Sequence, residues 1–442
     1  MGRYLVAASP IPGHVLPMIT VAGALRQRGH RVRMLSGAAF RDTATDQNLL
    51  LSALPAEPAI RPTTSRHGPR VVRRWRTGRA ELRSAFLAPL AAQYAALVTE
   101  LGRADYDAVL VDSMFTGAIP LLVSGGARPP VLVCGVGPLT LCSTDCPPFG
   151  VGWQPVAGRD YSAMNTFVRQ VLFRADQARL DAAIRQLGAG SASVFLLDWP
   201  VLADRLLQFS VPGFEYPRRD LPHSVVFTGP IPGPAVAETA LPPWWDALMT
   251  GKRIIHVTQG TWDNGDLGHL LRPTLAALGR RSDLVVVAST GGSRDRLGPL
   301  PANAYVRKYV SYPQLLPHVD VMITNGGYGG VQQALSYGVP LIVAGENADK
   351  PEIAARVAYT GSGIDLRRAR PSSAVIASAV DQVLGDKRFR IAAQRIAAEI
   401  SRSSPFDTIA AVLEEFGATP AVRHRDCPPV SDIAAGRQRN SP

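Results

Sequence analysis

Val319-Asp-Val-Met-Ile-Thr-Asn-Gly-Gly-Tyr-Gly-Gly-Val-Gln-Gln-Ala-Leu-Ser-Tyr-Gly-Val-Pro-Leu-Ile-Val-Ala-Gly345 is the stretch whose reading decides the fold. An apolar run ending at Thr324 meets Gly326, Gly327, Gly329 and Gly330, and a short helical pattern leads through Gly338-Val-Pro340 into a second apolar run. The order is strand, turn, helix, strand. Glycines between a strand and a helix let the backbone come close to a ligand, and the free N–H groups of the new helix aim partial positive charge at an anion. The turn that begins at Asn325 is therefore a candidate phosphate site.

The same alternation spreads outward in both directions. Residues 254–257, 284–288, 305–308 and 341–343 read as strands around helical patterns at 267–278 and 331–337. Earlier in the chain, residues 4–8, 32–35, 108–111 and 131–134 read as strands, with helical patterns at 15–27, 82–101 and 161–187. Further apolar runs at 194–197 and 225–228 close that half, and 142–153, rich in Pro, Gly and Cys, reads as a loop. Beyond 365 the pattern is mainly helical to 416, and the polar residues after Gly417 read as a disordered tail. The predicted fold class is α/β, with two doubly wound parallel-sheet domains facing a central cleft. Open sheets of this kind bind ligands at the carboxyl ends of their strands.

Size and composition agree with that division. A chain of 442 residues exceeds what one core sustains, so two domains of roughly 200 residues are expected. Although 46% of residues are hydrophobic, no uninterrupted apolar stretch reaches the roughly 20 residues that span a bilayer. The N-terminal Gly2-Arg-Tyr-Leu-Val-Ala-Ala-Ser-Pro10 reads as a first buried strand, not a signal peptide. The expectation is a soluble, cytoplasmic protein with no transmembrane segment. Cys134, Cys142, Cys146 and Cys427 are too few and too unevenly placed for a disulfide framework, and they read as reduced thiols.

The charge balance, 47 basic against 35 acidic residues, gives +12. Such an excess suits nucleic acid, an anionic surface or an anionic small substrate. The densest basic run, residues 61–83, interleaves only Trp75 among Arg66, Arg70, Arg73, Arg74, Arg76 and Arg79. A single-strand binder needs several stacking aromatics along such a groove, so this run reads as a solvated loop and helix face and no nucleic-acid partner is expected. A positive field still attracts a nucleotide diphosphate. Gly-x-Gly-x-x-Gly, Walker A and His-Glu-x-x-His patterns are all missing from the sequence.

Two residues carry candidate chemistry in the first half. Gly13-His14-Val-Leu-Pro17 lies between the first strand and the first helix, at the cleft end of the sheet. A helix N-terminus disfavours imidazolium, so a neutral His14 would be a usable general base; a structural histidine is the other reading. Asp112 ends the run 108–111, where it could orient His14 or simply cap a helix. Asp105-Tyr-Asp107 has metal-pair spacing but sits at the strand end away from the cleft, and reads as a turn.

The Gly13-His14 loop, Val111-Asp112-Ser-Met-Phe115 and the region from Leu316-Pro-His-Val-Asp320 to Val357 together resemble the nucleotide-sugar glycosyltransferases of the two-Rossmann-domain (GT-B) type. The similar branch is the bacterial macrolide- and flavonoid-type group related to plant and animal UDP-glycosyltransferases. The resemblance spans residues 3 to about 416, strong in the second half and sparse in the first outside the two catalytic segments. It implies an acceptor-binding domain at 1–227, a linker at 228–243 and a nucleotide-sugar-binding domain at 244–403. A helix at 404–417 packing back on the first domain and a tail at 418–442 complete the division.

The resemblance also implies inverting transfer with no metal and no cofactor beyond the UDP- or TDP-sugar co-substrate. His14 would deprotonate the acceptor and Asp112 would hold His14. Thr258, Gly260 and Thr261 match the family's phosphate-contacting turn, and Tyr309-Val310 matches the slot that stacks on the base, where a core aromatic is the other reading. Asp349 matches the acidic residue that binds sugar hydroxyls. Two positions depart from the pattern. Asn325 stands where many relatives have His, and an amide can never carry positive charge. Lys350 stands where the family usually has Gln, and could pair with Asp349 or reach the donor.

The function expected is transfer of a sugar to a hydroxyl or amine of a small, largely apolar acceptor such as a secondary metabolite. A sugar-nucleotide epimerase or hydrolase on the same fold, and a non-catalytic nucleotide or nucleic-acid binder, are the alternatives. Loops at 61–83 and 142–153 would line the acceptor pocket; neither a particular aglycone nor an oligomeric state is encoded there.

Overall fold

The computed structural model describes residues 1–55, 70–233, 242, 244–261, 263–293 and 295–417. The basic residues 61–69, most of the expected linker, the expected tail at 418–442 and Cys427 lie outside the described residues.

Seven parallel strands form the first sheet: β1 (Arg3–Ala7), β2 (Arg31–Ser36), β3 (Leu50–Ala53), β4 (Ala108–Asp112), β5 (Val131–Gly135), β6 (Arg205–Gln208) and β7 (Val225–Phe227). Their order is β3-β2-β1-β4-β5-β6-β7. Alternate residues of β1 feed opposite cores: Tyr4 and Val6 pack under the helix Pro12–Gln27, Leu5 and Ala7 under the helix Leu90–Arg103. Strands β4 and β5 are buried along their whole length, as expected of parallel strands covered on both faces.

Two strands of this sheet depart from the sequence expectation. The apolar run at 194–197 is not a strand; Phe195 and Leu196 fill the core as a turn, and Gln177 accepts the Leu196 N–H at 2.8 Å. The strand is instead β6, which opens with charged Arg205. Strand β3, an edge of four residues with Leu50 68% exposed, lacks the alternation that announces a half-buried strand.

The second sheet has six parallel strands: β8 (Arg253–Thr258), β9 (Leu284–Ser289), β10 (Ala304–Arg307), β11 (Val321–Thr324), β12 (Leu341–Val343) and β13 (Gly363–Asp365). Their order is β10-β9-β8-β11-β12-β13. In each sheet the order reverses once, between β1 and β4 and between β8 and β11. At such a point the connections leave in opposite directions and open a crevice at the strand ends. The carboxyl ends of β1, β4, β8 and β11, with the segments that follow them, carry His14, Asp112, Thr258–Thr261 and the glycine turn.

The two halves meet through buried polar contacts. Arg356, 1% exposed, lies on the helix Lys350–Tyr359, donates to Glu215 at 2.8 Å and to Glu352 at 3.1 Å, and stacks on Tyr216. Gln208 donates to the Tyr328 hydroxyl at 3.1 Å and Gln332 to Ser210 at 2.9 Å. The chain then returns: Ile409, Val412 and Leu413 of the helix Pro405–Gly417 join the core over the first sheet, and Arg28 and Arg205 pair with Asp407 and Glu415.

Among the described residues one helical run, Trp75–Arg103, is long and apolar enough by length and composition to cross a membrane. The sequence reads as helix over 82–101 and holds no uninterrupted apolar stretch of spanning length. Here Phe86, Leu90 and Leu97 pack in the first-sheet core, and Gln93 accepts the Gly117 N–H at 3.1 Å.

Removing one partner of a buried ion cluster leaves the others uncompensated. Arg356→Ala is expected to destabilise the protein by about 3–5 kcal/mol in denaturant unfolding, and a loss below about 1 kcal/mol would show that the cluster contributes little.

Candidate active site

His14 is the third residue of the helix Pro12–Gln27, in its first turn and not in the connecting loop that the sequence suggests. Its Nδ1 is 2.7 Å from an Asp112 oxygen. A carboxylate only accepts, so Nδ1 carries the proton and Nε2 keeps its lone pair. Asp112 is fully buried at the end of β4, and it also accepts the Ser9 N–H at 2.5 Å and the Met114 N–H at 2.8 Å. Three donors from three segments thus hold one carboxylate. The helix-capping reading of Asp112 is set aside by these partners.

The charge balance on His14 differs from the sequence expectation. Burial disfavours the imidazolium, but the Asp112 carboxylate, its hydrogen bond and then Asp349 outweigh it and hold the pKa above the ordinary 6.5. The nearby carboxylates, not the helix N-terminus, decide the direction. A raised pKa makes the ring a stronger acceptor for a substrate proton.

Across the cleft, two turns lie side by side because β8 and β11 pair in register, Thr324 opposite Thr258. Gly326 adopts φ 88°, and a side chain there would press within 2.8 Å of Val343, so only glycine fits. Gly327 and Gly329 are exposed, with open space where a side chain would stand. No side chain caps the helix Tyr328–Ser336, which leaves its first-turn N–H groups for another acceptor.

Asn325 does not face that acceptor as a free donor. Its Nδ2 donates to the Gln259 carbonyl at 2.5 Å, so it ties the glycine turn to the Thr258–Thr261 turn. Its Oδ1 is buried without a partner among the described residues. Thr258 is buried and accepts the Gly260 N–H at 3.1 Å, while Thr261 is exposed. Tyr309 is 59% exposed, which removes the core-aromatic reading; its hydroxyl donates to the Gly291 carbonyl at 3.3 Å. Val310 packs partly into the core beside it.

Asp349 precedes the helix Lys350–Tyr359 and comes close enough to His14 for the two to affect each other's ionisation. Burial raises its carboxyl pKa, opposed by His14 and Lys350. Lys350, 9% exposed, pairs with Asp263 at 2.6 Å, not with Asp349. It braces the helix start against the segment following Thr261.

Several residues here were invisible in the sequence. Glu81 reaches over from the first half and accepts the N–H of Ala348, a residue held at φ 50°, at 3.2 Å. Arg79 and Arg83, expected to be solvated, both donate to buried Asp176 at 2.5 Å. Buried Asp and Glu demand partners, but nothing local says which arginine supplies them. Asp107 accepts the Arg3 N–H at 2.7 Å and is structural; Cys134, Cys142 and Cys146 are free thiols.

Two facing doubly wound sheets, with a His–Asp pair at one switch point and a glycine cradle at the other, define the GT-B class of glycosyltransferase. Residues 272–416 match the family described as Erythromycin biosynthesis protein CIII-like, C-terminal domain. Over 413 residues, 89% of this chain and 94% of the relative, the sequence is 37% identical to 4'-demethylrebeccamycin synthase of Lentzea aerocolonigenes. Over 437 residues, 93% of this chain and 92% of the relative, it is 30% identical to UDP-glucosyltransferase A1 of Starmerella bombicola. The crystal structure of the glycotransferase of kitacinnamycin superposes with a TM-score of 0.69 at 20% identity, covering 94% of this chain and 99% of that one. The chain belongs to the nucleotide-sugar-dependent glycosyltransferases of this two-domain type.

A histidine base works only when neutral, so activity must rise as pH rises through its pKa. The acidic limb of kcat/KM is expected to have its midpoint above 6.5. Asp112→Asn removes the largest upward influence and should move that midpoint down; a pH profile in which the two proteins share one midpoint would contradict the assignment.

Proposed function

We propose that this chain is a cytoplasmic, inverting, metal-independent transferase. It moves a sugar from a UDP- or TDP-activated donor to a hydroxyl or amine of a small, largely apolar acceptor, with residues 1–227 binding the acceptor and residues 244–403 the donor. The observation that carries this reading is the His14–Asp112 pair at the first switch point, opposed by an uncapped helix and glycine turn at the second.

In this reading Nε2 of His14 takes the acceptor proton as the acceptor attacks the anomeric carbon. The bond from that carbon to the diphosphate oxygen breaks, and its electron pair leaves with the nucleotide. Asp112 stabilises the imidazolium so formed, as its three donors hold it in place. On the leaving side, N–H groups around Gly327, Gly329 and Gly330, with Gly260 and the Thr258 and Thr261 region, receive the diphosphate charge. With its amide committed to Gln259, Asn325 acts by fixing the spacing of those two turns.

Tyr309 offers an exposed ring and Val310 a backbone edge to the nucleotide base. Asp349 accepts from sugar hydroxyls beside His14, and Lys350 keeps its helix in place through Asp263. The similarity to 4'-demethylrebeccamycin synthase favours a secondary-metabolite acceptor. The UDP-glucosyltransferase relative favours a UDP-linked hexose among the possible donors.

His14→Ala is expected to lower turnover by roughly 10² to 10⁴ while UDP and TDP affinities, read by calorimetry, stay within about 2-fold. Turnover at the wild-type rate would refute the base assignment.

A further inference from the structure

The helix Lys350–Tyr359 carries more than the donor-side acid. One turn after Asp349, Glu352 is 3% exposed and turns away from the cradle toward the first domain. One of its carboxylate oxygens accepts two backbone N–H groups, from Gly150 at 2.8 Å and Gly152 at 2.7 Å. Its other oxygen accepts from Arg356 at 3.1 Å. Gly150 and Gly152 adopt φ 99° and 63°, the left-handed region that turns alternate N–H groups toward a single anion. The loop is thus a backbone anion nest of the first domain, filled by a carboxylate of the second.

Charge explains why the loop is needed there. Glu352 and Glu215 are two buried carboxylates, and Arg356 supplies one positive charge between them. The remaining negative charge is met by the helix N-terminus, where Glu352 sits in the first turn, and by the two glycine N–H groups. An isolated ionised carboxylate at this burial would be strongly disfavoured. The loop and the helix therefore hold each other at a set distance. The loop leads into Trp153, 54% exposed, whose carbonyl accepts from Tyr216, the ring stacked on Arg356.

We infer that Glu352 is a positioning residue that docks the 150–152 loop onto the donor-side helix and so sets the acceptor wall in register with Asp349 and His14. The inference rests on the reading above that residues 142–153 line the acceptor pocket. Asp349 caps the start of this helix and Glu352 and Arg356 lie within it, each about one turn further on, so one element carries the sugar-side acid, the loop anchor and the domain contact. Glu352 touches no reacting group; the hydrogen bonds of its carboxylate go to the loop and to Arg356, and its charge is the least of the influences on Asp349.

Two measurements test this on the full chain. Hydrogen exchange of the unliganded protein reads the amides of residues 147–153, and initial rates are taken with UDP-glucose or TDP-glucose as donor and umbelliferone as the phenolic acceptor probe. In Glu352→Ala the Gly150 and Gly152 amides are expected to exchange about 10-fold faster, and the acceptor KM to rise about 10-fold, while kcat and the donor KM stay within about 2-fold. Glu352→Gln keeps the shape and one acceptor oxygen but loses the charge, so about 3-fold effects of the same pattern are expected. Loop exchange unchanged in Glu352→Ala, or donor and acceptor KM rising together, would overturn the inference. Should Glu352→Ala fail to fold, Glu352→Gln decides: wild-type exchange and wild-type acceptor KM in that variant would overturn it. The exchange measurement needs no turnover, so a failure of the transfer reading leaves the loop contact separately measurable.

Discussion

Asp112 ends a strand buried on both faces, and its charge is sustained there because the Ser9 N–H, the Met114 N–H and His14 Nδ1 converge on it. Two of the donors come from the connection after β1, the Ser9 backbone and the first turn of the helix Pro12–Gln27, and the third from the turn after β4. The need to satisfy one buried carboxylate thereby fixes three pieces of backbone at the switch point of the first sheet. It fixes the tautomer of His14 as well, and with it the nitrogen that faces the cleft. The parallel order of the sheet puts β1 and β4 side by side, so this geometry follows from topology before any ligand arrives.

The second sheet solves the same problem with different residues. Its two cradle turns are joined by the buried Asn325 amide and braced by buried Lys350 through its pair with the partly exposed Asp263. A histidine at residue 325 could offer positive charge to a leaving group, whereas an amide bonded to Gln259 offers spacing. The burden of charge then falls on the helix start and the backbone N–H groups around it. Between the halves, the Glu215–Arg356–Glu352 cluster plays the part that Asp112 plays within the first sheet, as buried charges dictate which surfaces meet.

The glycine turn, the alternating strands and the segments holding His14 and Asp112 could be read from sequence because each is a local pattern of apolar period and turn residues. Strand β6 was missed because its neighbour at 194–197 is more apolar, yet that run serves the core as a turn. Partners separated by long stretches of chain were illegible: Glu352 with Gly150, Glu81 with Ala348 and Arg79 with Asp176 are chosen by tertiary geometry. The helix N-terminus alone would lower the His14 pKa, whereas the Asp112 carboxylate and then Asp349 raise it, and their combined weight is set only when the fold brings them to the ring.

In the proposed function one base on the acceptor side, His14, faces one cradle on the leaving-group side, the arrangement that a single displacement requires. The most direct measurement is the anomeric configuration of the product, read by proton NMR on material made from a donor of known configuration. A product of opposite configuration to the donor is expected; retained configuration would contradict the account.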